Sequence, residues 1–200
     1  MNRYEIKFDI SDYKPEEIIR SYNLFQLHPK RKIKSIYFDT INYDYFIDSE
    51  EGQTPRKKVR IRSYDNNKVY SLEFKYTEFY HRKKIVINNF VYNYYNFLKK
   101  VRENNIKELI HPKLLVVYTR DYYQSAIGRV TIDKNISYQK VNNSFKESSC
   151  VINEKKTILE VKIQKDSFDK EKILKFFRFK ESRNSKYCNG INLFKSLKRT

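Results

Sequence analysis

Cysteine and histidine are scarce in this sequence of 200 residues, which contains two cysteines and three histidines. Cys150 and Cys188 do not form a C-x-x-C pair, and no two histidines follow an H-x-x-x-H spacing. A structural zinc site and a cysteine–histidine nucleophile are therefore not expected. The sequence also lacks a signal peptide and an apolar run of about 18 residues, so we expect a cytoplasmic protein without a transmembrane segment.

Acidic residues are also few relative to basic ones. Asp and Glu total 24 against 42 Lys and Arg, which gives a formal net charge of +18. Such a surplus implies a polyanionic partner, which can be nucleic acid, an acidic membrane surface or a phosphate compound. The basic residues are spread through the chain and form no basic tail. They therefore favour a folded anion-binding site over a disordered basic arm.

Charged residues occupy every second position of several strand-like segments. In Lys58-Val59-Arg60-Ile61-Arg62 the charges lie at 58, 60 and 62, and the same alternation occurs in 4–8, 72–75, 128–133 and 159–163. Successive strand side chains point to opposite faces, so each segment has one apolar and one charged face. For a single strand this indicates an antiparallel sheet with its outer face in water. Its repetition favours a barrel with a cationic interior.

The periodicity predicts both strands and helices. Strands are predicted near 3–9, 33–39, 57–64, 69–76, 82–88, 114–121, 128–133 and 157–164, which is enough to close a barrel. Helices are predicted near 14–26, 89–103, 169–177 and 186–198, a hairpin turn at 65–67 and a polar loop at 142–156. The predicted fold class is α+β: a closed eight-stranded antiparallel β-barrel with a charged interior, jacketed by helices. We expect residues 1–200 to form a single domain.

Eight short motifs lie in order along nearly the whole chain. They are RYEIK (3–7), SIYFDT (35–40), VRIR (59–62), LEFK (72–75), YTR (118–120), RVTID (129–133), LEVK (159–162) and SKYCNGI (185–191). These segments resemble the VTC domain, the polyphosphate-polymerase domain of the vacuolar transporter chaperone complex. That family belongs to the triphosphate tunnel metalloenzymes, and bacterial relatives are similar stand-alone domains.

The resemblance implies a tunnel of eight antiparallel strands that ATP enters at one end and polyphosphate leaves at the other. By motif position, the basic residues that act in catalysis are Lys7, Arg60, Arg62, Lys75, Arg120, Arg129 and Lys186. Further phosphate contacts are implied for Arg82, Lys84, Tyr118, Arg183 and Ser185. Arg82 and Lys84 share one strand face and Lys83 has the other, so we predict that the first pair faces the tunnel.

The resemblance also implies that Glu160 binds a divalent metal, Mn²⁺ or Mg²⁺. These ions prefer oxygen ligands and keep several waters, so one carboxylate with substrate phosphates can suffice. The alternative for Glu160 is a salt bridge with Lys162 or with an arginine of the tunnel. For Glu5 and Glu73, the sequence leaves open whether they bind metal or balance charge.

Three functions remain open. A polyphosphate polymerase would transfer the γ-phosphate of ATP to a growing chain. A tripolyphosphatase or nucleoside triphosphatase would use an activated water, but its first strand typically begins Glu-x-Glu-x-Lys. This chain has Arg3 in place of the first carboxylate, which favours the polymerase. The third alternative is a non-catalytic module that binds a polyanion or nucleic acid.

The expected partners are ATP and inorganic polyphosphate. No nucleic acid is expected, because the 18 tyrosines and 14 phenylalanines concentrate on predicted helices and apolar strand faces rather than among the basic residues. A regulatory SPX domain and a membrane channel accompany the domain in the eukaryotic complex. Neither fits in this chain, so a membrane partner would be a separate protein. The sequence leaves the oligomeric state open.

Overall fold

The computed structural model describes residues 3–65, 69–79, 81–164 and 167–197. Within these ranges the chain forms nine strands: β1 (Arg3–Asp9), β2 (Phe25–Asp39), β3 (Arg56–Tyr64), β4 (Tyr70–Glu78), β5 (His81–Phe90), β6 (His111–Ser125), β7 (Gly128–Val141), β8 (Glu147–Glu154) and β9 (Ile158–Gln164). It also forms five helices: α1 (Pro15–Ser21), α2 (Asp44–Glu51), α3 (Tyr94–Glu103), α4 (Lys170–Phe177) and α5 (Lys186–Ser196). The longest of these, α5, has 11 residues. None of the described helices has the length and apolar character that a membrane span requires.

The chain divides into two compact units, each assembled from three separate stretches. Unit 1 consists of Met1–Lys32, Val117–Ser137 and Asn153–Ser185. Unit 2 consists of Ile33–Val116, Tyr138–Ile152 and Lys186–Thr200. The assignment of residues 1–200 to a single domain stays a prediction.

The strand order corrects the predicted barrel. Hydrogen-bond pairing orders the strands β1-β9-β7-β6-β2-β3-β4-β5, with β8 beside β7. The main path has eight antiparallel strands, as predicted, and β8 is an additional strand beside β7, but among the described residues the path is open and the predicted closure of the barrel is not present. Alternation in a sequence shows which way side chains point, whereas closure depends on strand tilt and register.

In unit 1, β9 pairs antiparallel with both β1 and β7. Glu160 stands directly opposite Lys7 on one side and Thr131 on the other. Because strand side chains alternate, these three residues share a face, and their apolar neighbours share the opposite face. The apolar face packs against α1 and α4 in one core: Ile6, Phe8, Ile10, Ile18, Leu24, Val130, Ile132, Leu159, Val161, Ile163, Ile173 and Phe177.

In unit 2, β2, β3, β4 and β5 pair in that order, all antiparallel. Arg60 on β3 stands opposite Tyr37 on β2 and opposite Glu73 on β4. The other face of these strands is apolar and packs against α3 in a second core: Phe38, Tyr45, Val59, Ile61, Leu72, Phe74, Phe90, Phe97, Val101, Ile106 and Ile110. In each unit, the helices therefore cover the apolar strand face, as the sequence predicted.

Most predicted elements are present, with different ends. The helix predicted over 14–26 ends at Ser21, because Asn23 adopts a left-handed conformation with φ of 47° and β2 begins at Phe25. The predicted loop 142–156 contains β8, whose residues are nearly all exposed or half-buried, so it lacks the apolar face that identifies a strand. Asp65 has the left-handed φ expected of the predicted hairpin turn, and residues 66 and 67 lie outside the described ranges.

Helix α2 was not predicted, because its cap does not come from the residue next to the helix. Its N-cap residue, Tyr43, offers no side-chain hydrogen bond. Instead, the buried Asp39 carboxylate accepts hydrogen bonds from the backbone N–H groups of Tyr45 and Phe46, both at 2.9 Å. This interaction stabilises the first turn of the helix as a local cap would.

Candidate functional site

Glu73 lies at the centre of a cation cluster in unit 2. Its Oε2 atom is 2.5 Å from Arg60 Nη2 and 3.2 Å from Lys84 Nζ, and its Oε1 atom is 3.6 Å from Arg62 Nη1. The carboxylate is buried, with a side-chain exposure of 4%. We call Glu73, Arg60, Arg62 and Lys84 the Glu73 cluster. One carboxylate therefore forms ion pairs with three cations.

The electrostatics of this cluster favour an additional anion. Burial alone would raise the pKa of Glu73, but Arg60, Arg62 and Lys84 together hold that pKa far below its usual range. The pKa of Lys84 is lowered chiefly by burial, which the attraction of Glu73 opposes and the weaker repulsion from Arg60 and Arg62 reinforces. Glu73 is therefore ionised at neutral pH, and the two arginines beside it already exceed its charge.

The cluster is part of a larger basic surface. Side chains at alternate positions of β3, β4 and β5 share one face, which we call the basic face. It carries seven cations and one carboxylate: Arg56, Lys58, Arg60, Arg62, Lys75, Arg82, Lys84 and Glu73. The structure thus brings five of the sequence-predicted phosphate ligands to one face. It places Lys83 opposite Tyr76, on the other face, as expected from the alternation.

Tyr37 borders the Glu73 cluster on the side of β2. Its hydroxyl accepts a hydrogen bond from Arg60 Nη1 at 2.9 Å, and its ring stacks on that of Tyr187 with centroids 5.2 Å apart. Burial favours the neutral phenol, but the charges of Arg60 and Arg62, the hydrogen bond from Arg60 and the charge of Lys186 lower the pKa of Tyr37 to about 8. Lys186, a predicted catalytic residue, therefore contributes to the positive electrostatic potential around this cluster.

A hydrogen bond from the first turn of helix α5 holds the helix next to Tyr37. The Tyr187 hydroxyl donates a hydrogen bond of 2.6 Å to Asp39 Oδ2, and both residues are buried. Burial and the neighbouring Asp39 carboxylate raise the pKa of Tyr187 far above its usual range, so this hydroxyl keeps its proton. Gly190 allows the helix to approach closely, because a Cβ atom there would lie 2.5 Å from side-chain atoms of Leu114 and Tyr138.

Glu160 lies at the centre of a second ion-pair cluster, in unit 1. Its Oε1 atom is 2.7 Å from Lys162 Nζ, and its Oε2 atom is 3.9 Å from Lys7 Nζ. Lys162 Nζ also lies 3.8 Å from Glu5 Oε1. Burial opposes the charge of Glu160, but Lys162, Lys7 and Arg120 hold its pKa well below the usual range. The salt bridge considered for Glu160 is therefore present.

Arg120 makes a bidentate ion pair in unit 1. Its Nε and Nη2 atoms donate to the two carboxylate oxygens of Asp133 at 2.5 and 2.7 Å. Its guanidinium also lies over the ring of Tyr118, 5.4 Å from the centroid. Burial disfavours the charge, but Tyr118, Asp133 and Glu160 raise the pKa of Arg120. This pair is charge-neutral, unlike the Glu73 cluster.

The segment before α5 runs beside β1. The backbone N–H of Ser182 donates to Lys7 O at 2.8 Å, and Lys7 Nζ donates to Asn184 O at 2.7 Å. The predicted phosphate ligands Arg183 and Ser185 flank Asn184, so they lie in the same unit as Lys7. Arg183 is exposed and Ser185 is half-buried.

Unit 1 contains oxygen atoms that fit a divalent cation. Among the described residues, no three His, Cys, Asp or Glu side chains come together. However, two buried oxygen atoms close to the Glu160 strand, Thr131 Oγ1 and Asn184 Oδ1, have no hydrogen-bond partner within the described part of the protein. Hard cations prefer oxygen ligands, so Glu160, Thr131 and Asn184 have the ligand chemistry that Mn²⁺ or Mg²⁺ takes alongside substrate phosphates.

Several important residues were not found from the sequence. Arg56 belongs to the basic face but lies outside the quoted segments, and Lys58 was placed on the charged face without being assigned a role. Asp133 and Thr131 lie within a quoted motif, yet their pairing with Arg120 and with Glu160 depends on strand register. Tyr37 also lies within a motif, and its opposition to Arg60 follows from the β2–β3 register. Alternation alone would have placed Arg56 with Lys58 and Arg60.

Comparison with known protein families identifies the fold family. The family model of the VTC domain matches residues 2–195. This chain belongs to the VTC domain family. No curated protein matches it.

Solved structures share the fold of this VTC domain at low sequence identity. A protein of Pyrococcus horikoshii OT3 has a TM-score of 0.52 and 18% identity, over 97% of this chain and 99% of that one. A conserved protein of Pyrococcus furiosus has a TM-score of 0.52 and 14% identity, over 94% and 99%. A candidate adenylate cyclase of Bacillus halodurans has a TM-score of 0.57 and 12% identity, over 92% and 96%. At such identities the likeness establishes the fold alone.

The low pKa of Tyr37 gives a pH-dependence prediction. The folded pKa of about 8 lies below the ordinary tyrosine value of 10. Ionisation of Tyr37 therefore adds stability as pH rises from about 8 to about 10, and this stability is lost as pH falls through the folded pKa. In a titration followed by phenolate absorbance, we expect one of the 18 tyrosines to ionise near pH 8.

Tyr37→Phe should remove this early step, and tripolyphosphate should move it to higher pH in the wild-type protein, because added negative charge opposes the phenolate. Superimposable titration curves for Tyr37→Phe and wild type would contradict the geometry assigned to Arg60 and Tyr37.

Proposed function

We propose that this VTC domain is a divalent-metal-dependent polyphosphate polymerase. It transfers the γ-phosphate of ATP to the end of an inorganic polyphosphate chain and releases ADP. We also propose a cytoplasmic location, where ATP is supplied. The basic face carries the proposal, because β3, β4 and β5 bring seven cations together on it.

The basic face suits a substrate rich in phosphate. Arginine presents planar, forked donors that match phosphate oxygens, and lysine adds a compact charge. Arg60 and Arg62 are held in place on β3 by Glu73, with Arg60 also bound to Tyr37, so their orientation is set before substrate arrives. Preorganised charges of this kind stabilise the negative charge that develops on a transferring phosphoryl group.

In the proposed reaction, a terminal oxygen of the polyphosphate chain attacks the γ-phosphorus of ATP. A new P–O bond forms, the bond between the γ-phosphorus and the bridging oxygen breaks, and the electron pair leaves with ADP. The residues of the Glu73 cluster bind and orient the triphosphate in line with the attacking oxygen. A bound divalent metal supplies further neutralisation of charge on the phosphates.

The low pKa and the ion pairing of the carboxylates near the site favour a phosphate group over water as the acceptor. A general base works best with a pKa near the working pH, whereas the pKa of Glu160 is held far below it. Asp133 is fully engaged with Arg120, and Glu73 with three cations. Water needs a base, but the end of a polyphosphate chain is already ionised at neutral pH. This supports the polymerase over the triphosphatase.

Arg62→Gln should nearly abolish the reaction while the protein stays folded. The substitution removes a preorganised phosphate contact, and loss of one such contact lowers turnover by about 100-fold or more. Glu73 keeps Arg60 and Lys84, so its charge remains compensated. The measurement is ADP release from ATP, with circular dichroism to check folding.

Lys57→Gln is the matched control, because Lys57 lies on the same strand and its partner is Glu108 on the other face. It should keep nearly full activity. A folded Arg62→Gln protein with wild-type turnover would remove the basic face from the proposed reaction.

Glu160→Gln should separate phosphate binding from the metal-dependent step. The change keeps the side-chain shape and removes one negative charge, so tripolyphosphate should bind as tightly as before or more tightly. Mn²⁺ binding in the presence of tripolyphosphate, measured by electron paramagnetic resonance, should weaken, and polymer formation should fall by about 100-fold.

Glu5→Gln is the control for removal of a carboxylate from the same cluster, since Glu5 also pairs with Lys162. Wild-type polymer synthesis and Mn²⁺ binding in Glu160→Gln would show that the metal binds elsewhere.

A further inference from the structure

A series of contacts in unit 2 joins the buried residue Asp39 to Arg60 of the Glu73 cluster. Asp39 is the last residue of β2, and Tyr37 precedes it by two residues, so both side chains lie on the same face of the strand. Tyr187, in the first turn of α5, contacts both of them. We call Asp39, Tyr187 and Tyr37 the Asp39 group.

Asp39 acts through its neighbours, because its own acceptor sites are filled. Its Oδ1 atom accepts hydrogen bonds from the backbone N–H groups of Thr40 at 2.8 Å and Tyr45 at 2.9 Å. Its Oδ2 atom accepts one from the backbone N–H of Phe46 at 2.9 Å and one from the Tyr187 hydroxyl at 2.6 Å. A carboxylate has about four acceptor sites in total. Asp39 is also fully buried, so it is too enclosed to contact a substrate.

The burial of Asp39 opposes its charge. Burial raises the pKa of this carboxyl above its ordinary value, although its four hydrogen bonds act in the other direction. Such costs are expected at functional sites. The carboxylate provides a fixed geometry in return, because it lies at the end of β2 and binds the first turns of both α2 and α5.

The hydrogen bond to Asp39 fixes the ring of Tyr187. Burial and the Asp39 carboxylate raise the pKa of Tyr187 far above its usual range, so its hydroxyl remains a donor. The ring is attached to α5 at one end and bound to Asp39 at the other. It stacks on the ring of Tyr37, with centroids 5.2 Å apart and planes inclined by 18°. The position of Tyr37 therefore depends on Tyr187.

Tyr37 in turn provides a second anchor point for Arg60. The Nε and Nη2 atoms of Arg60 both donate to Glu73 Oε2, at 2.9 and 2.5 Å. Two bonds to one oxygen atom define a single anchor point. The Nη1 atom of Arg60 donates to the Tyr37 hydroxyl at 2.9 Å, on the other side of the guanidinium. The direction of the guanidinium is thus set from two sides.

We propose that Asp39 and Tyr187 are positioning residues for phosphoryl transfer, which hold Arg60 in its working orientation by holding Tyr37. This inference rests on the proposed function. A preorganised donor stabilises the transition state as long as its direction is fixed, and a small misplacement reduces the rate steeply. The Asp39 group therefore affects the rate of transfer although Asp39 and Tyr187 are buried away from the substrate.

Tyr187→Phe tests this inference, because it removes the hydroxyl and keeps the stacked ring. Asp39 keeps its three backbone donors, so circular dichroism should show a folded protein. We expect kcat for ADP release from ATP to fall at least about tenfold, with KM for ATP within about twofold of wild type. The ionisation of Tyr37 near pH 8 should move toward the ordinary value of 10, because burial favours the neutral phenol and the opposing charge of Arg60 is held less closely.

Tyr76→Phe is the matched control. The Tyr76 hydroxyl donates a hydrogen bond of the same length, 2.6 Å, to Asn104 O, and its ring packs against the apolar core of the same unit. Loss of the hydrogen bond should lower the melting temperature in both variants. Tyr76→Phe should nevertheless keep the wild-type kcat and the early ionisation of Tyr37. An equal loss of kcat in the two variants would mean general destabilisation and would overturn the inference.

Tyr37→Phe/Tyr187→Phe tests the route of the effect. If Tyr187 acts on Arg60 through Tyr37, the double variant should have the kcat of Tyr37→Phe within about twofold, since the contact with Arg60 is already lost. Losses that multiply in the double variant would show that Tyr187 acts by another route, such as through its chain neighbour Lys186, and would overturn the inference. So would a folded Tyr187→Phe protein with wild-type kcat and an unmoved ionisation of Tyr37.

The titration of Tyr37 separates this inference from the proposed function, because it needs no substrate. If the wild-type protein releases orthophosphate from ATP and forms no polymer, the proposed function fails, and the titration of Tyr187→Phe still decides the inference. An unmoved titration together with normal polymer synthesis overturns the inference alone.

Discussion

Cations on neighbouring strands of one sheet face repel one another, and unit 2 brings seven of them together on the basic face. Two charges 4 Å apart at an effective dielectric constant near 20 repel by about 4 kcal/mol. The apolar core on the opposite face, packed on α3, must offset this cost in the free protein. A bound polyanion removes the repulsion and stabilises the native state by mass action. The basic face thus links folding stability to ligand binding.

The two units differ in how they compensate charge. In unit 1, Glu160, Asp133 and Glu5 all lie against cations, so the charged face there is close to neutral. In unit 2, Glu73 is the single carboxylate on the basic face among the described residues. This difference supports separate roles, in which the basic face binds phosphates and Glu160 contributes an oxygen ligand to a metal.

Much of this arrangement follows from sequence alternation, which places Arg60, Arg62 and Lys75 on a common polar face and Val59 and Ile61 in the core. Contacts that depend on register could not be predicted this way. Arg120 meets Asp133, and Arg60 meets Tyr37 and Glu73, only because particular residues stand opposite each other. The open strand order was missed for a similar reason, since closure depends on strand register. Helix α2 was missed because its cap is Asp39, which lies before the residue next to the helix. β8 lacks a buried face, so its sequence resembles a loop.

The central claim is that the terminal phosphate of a chain, and not water, accepts the γ-phosphate of ATP. The most direct measurement is to incubate the purified protein with ATP and Mn²⁺ and to resolve the products on a gel while measuring free orthophosphate. We expect a ladder of polyphosphate chains, with ADP formed in equal amount to the phosphate incorporated. ADP with stoichiometric orthophosphate and no polymer would contradict it and would identify a triphosphatase.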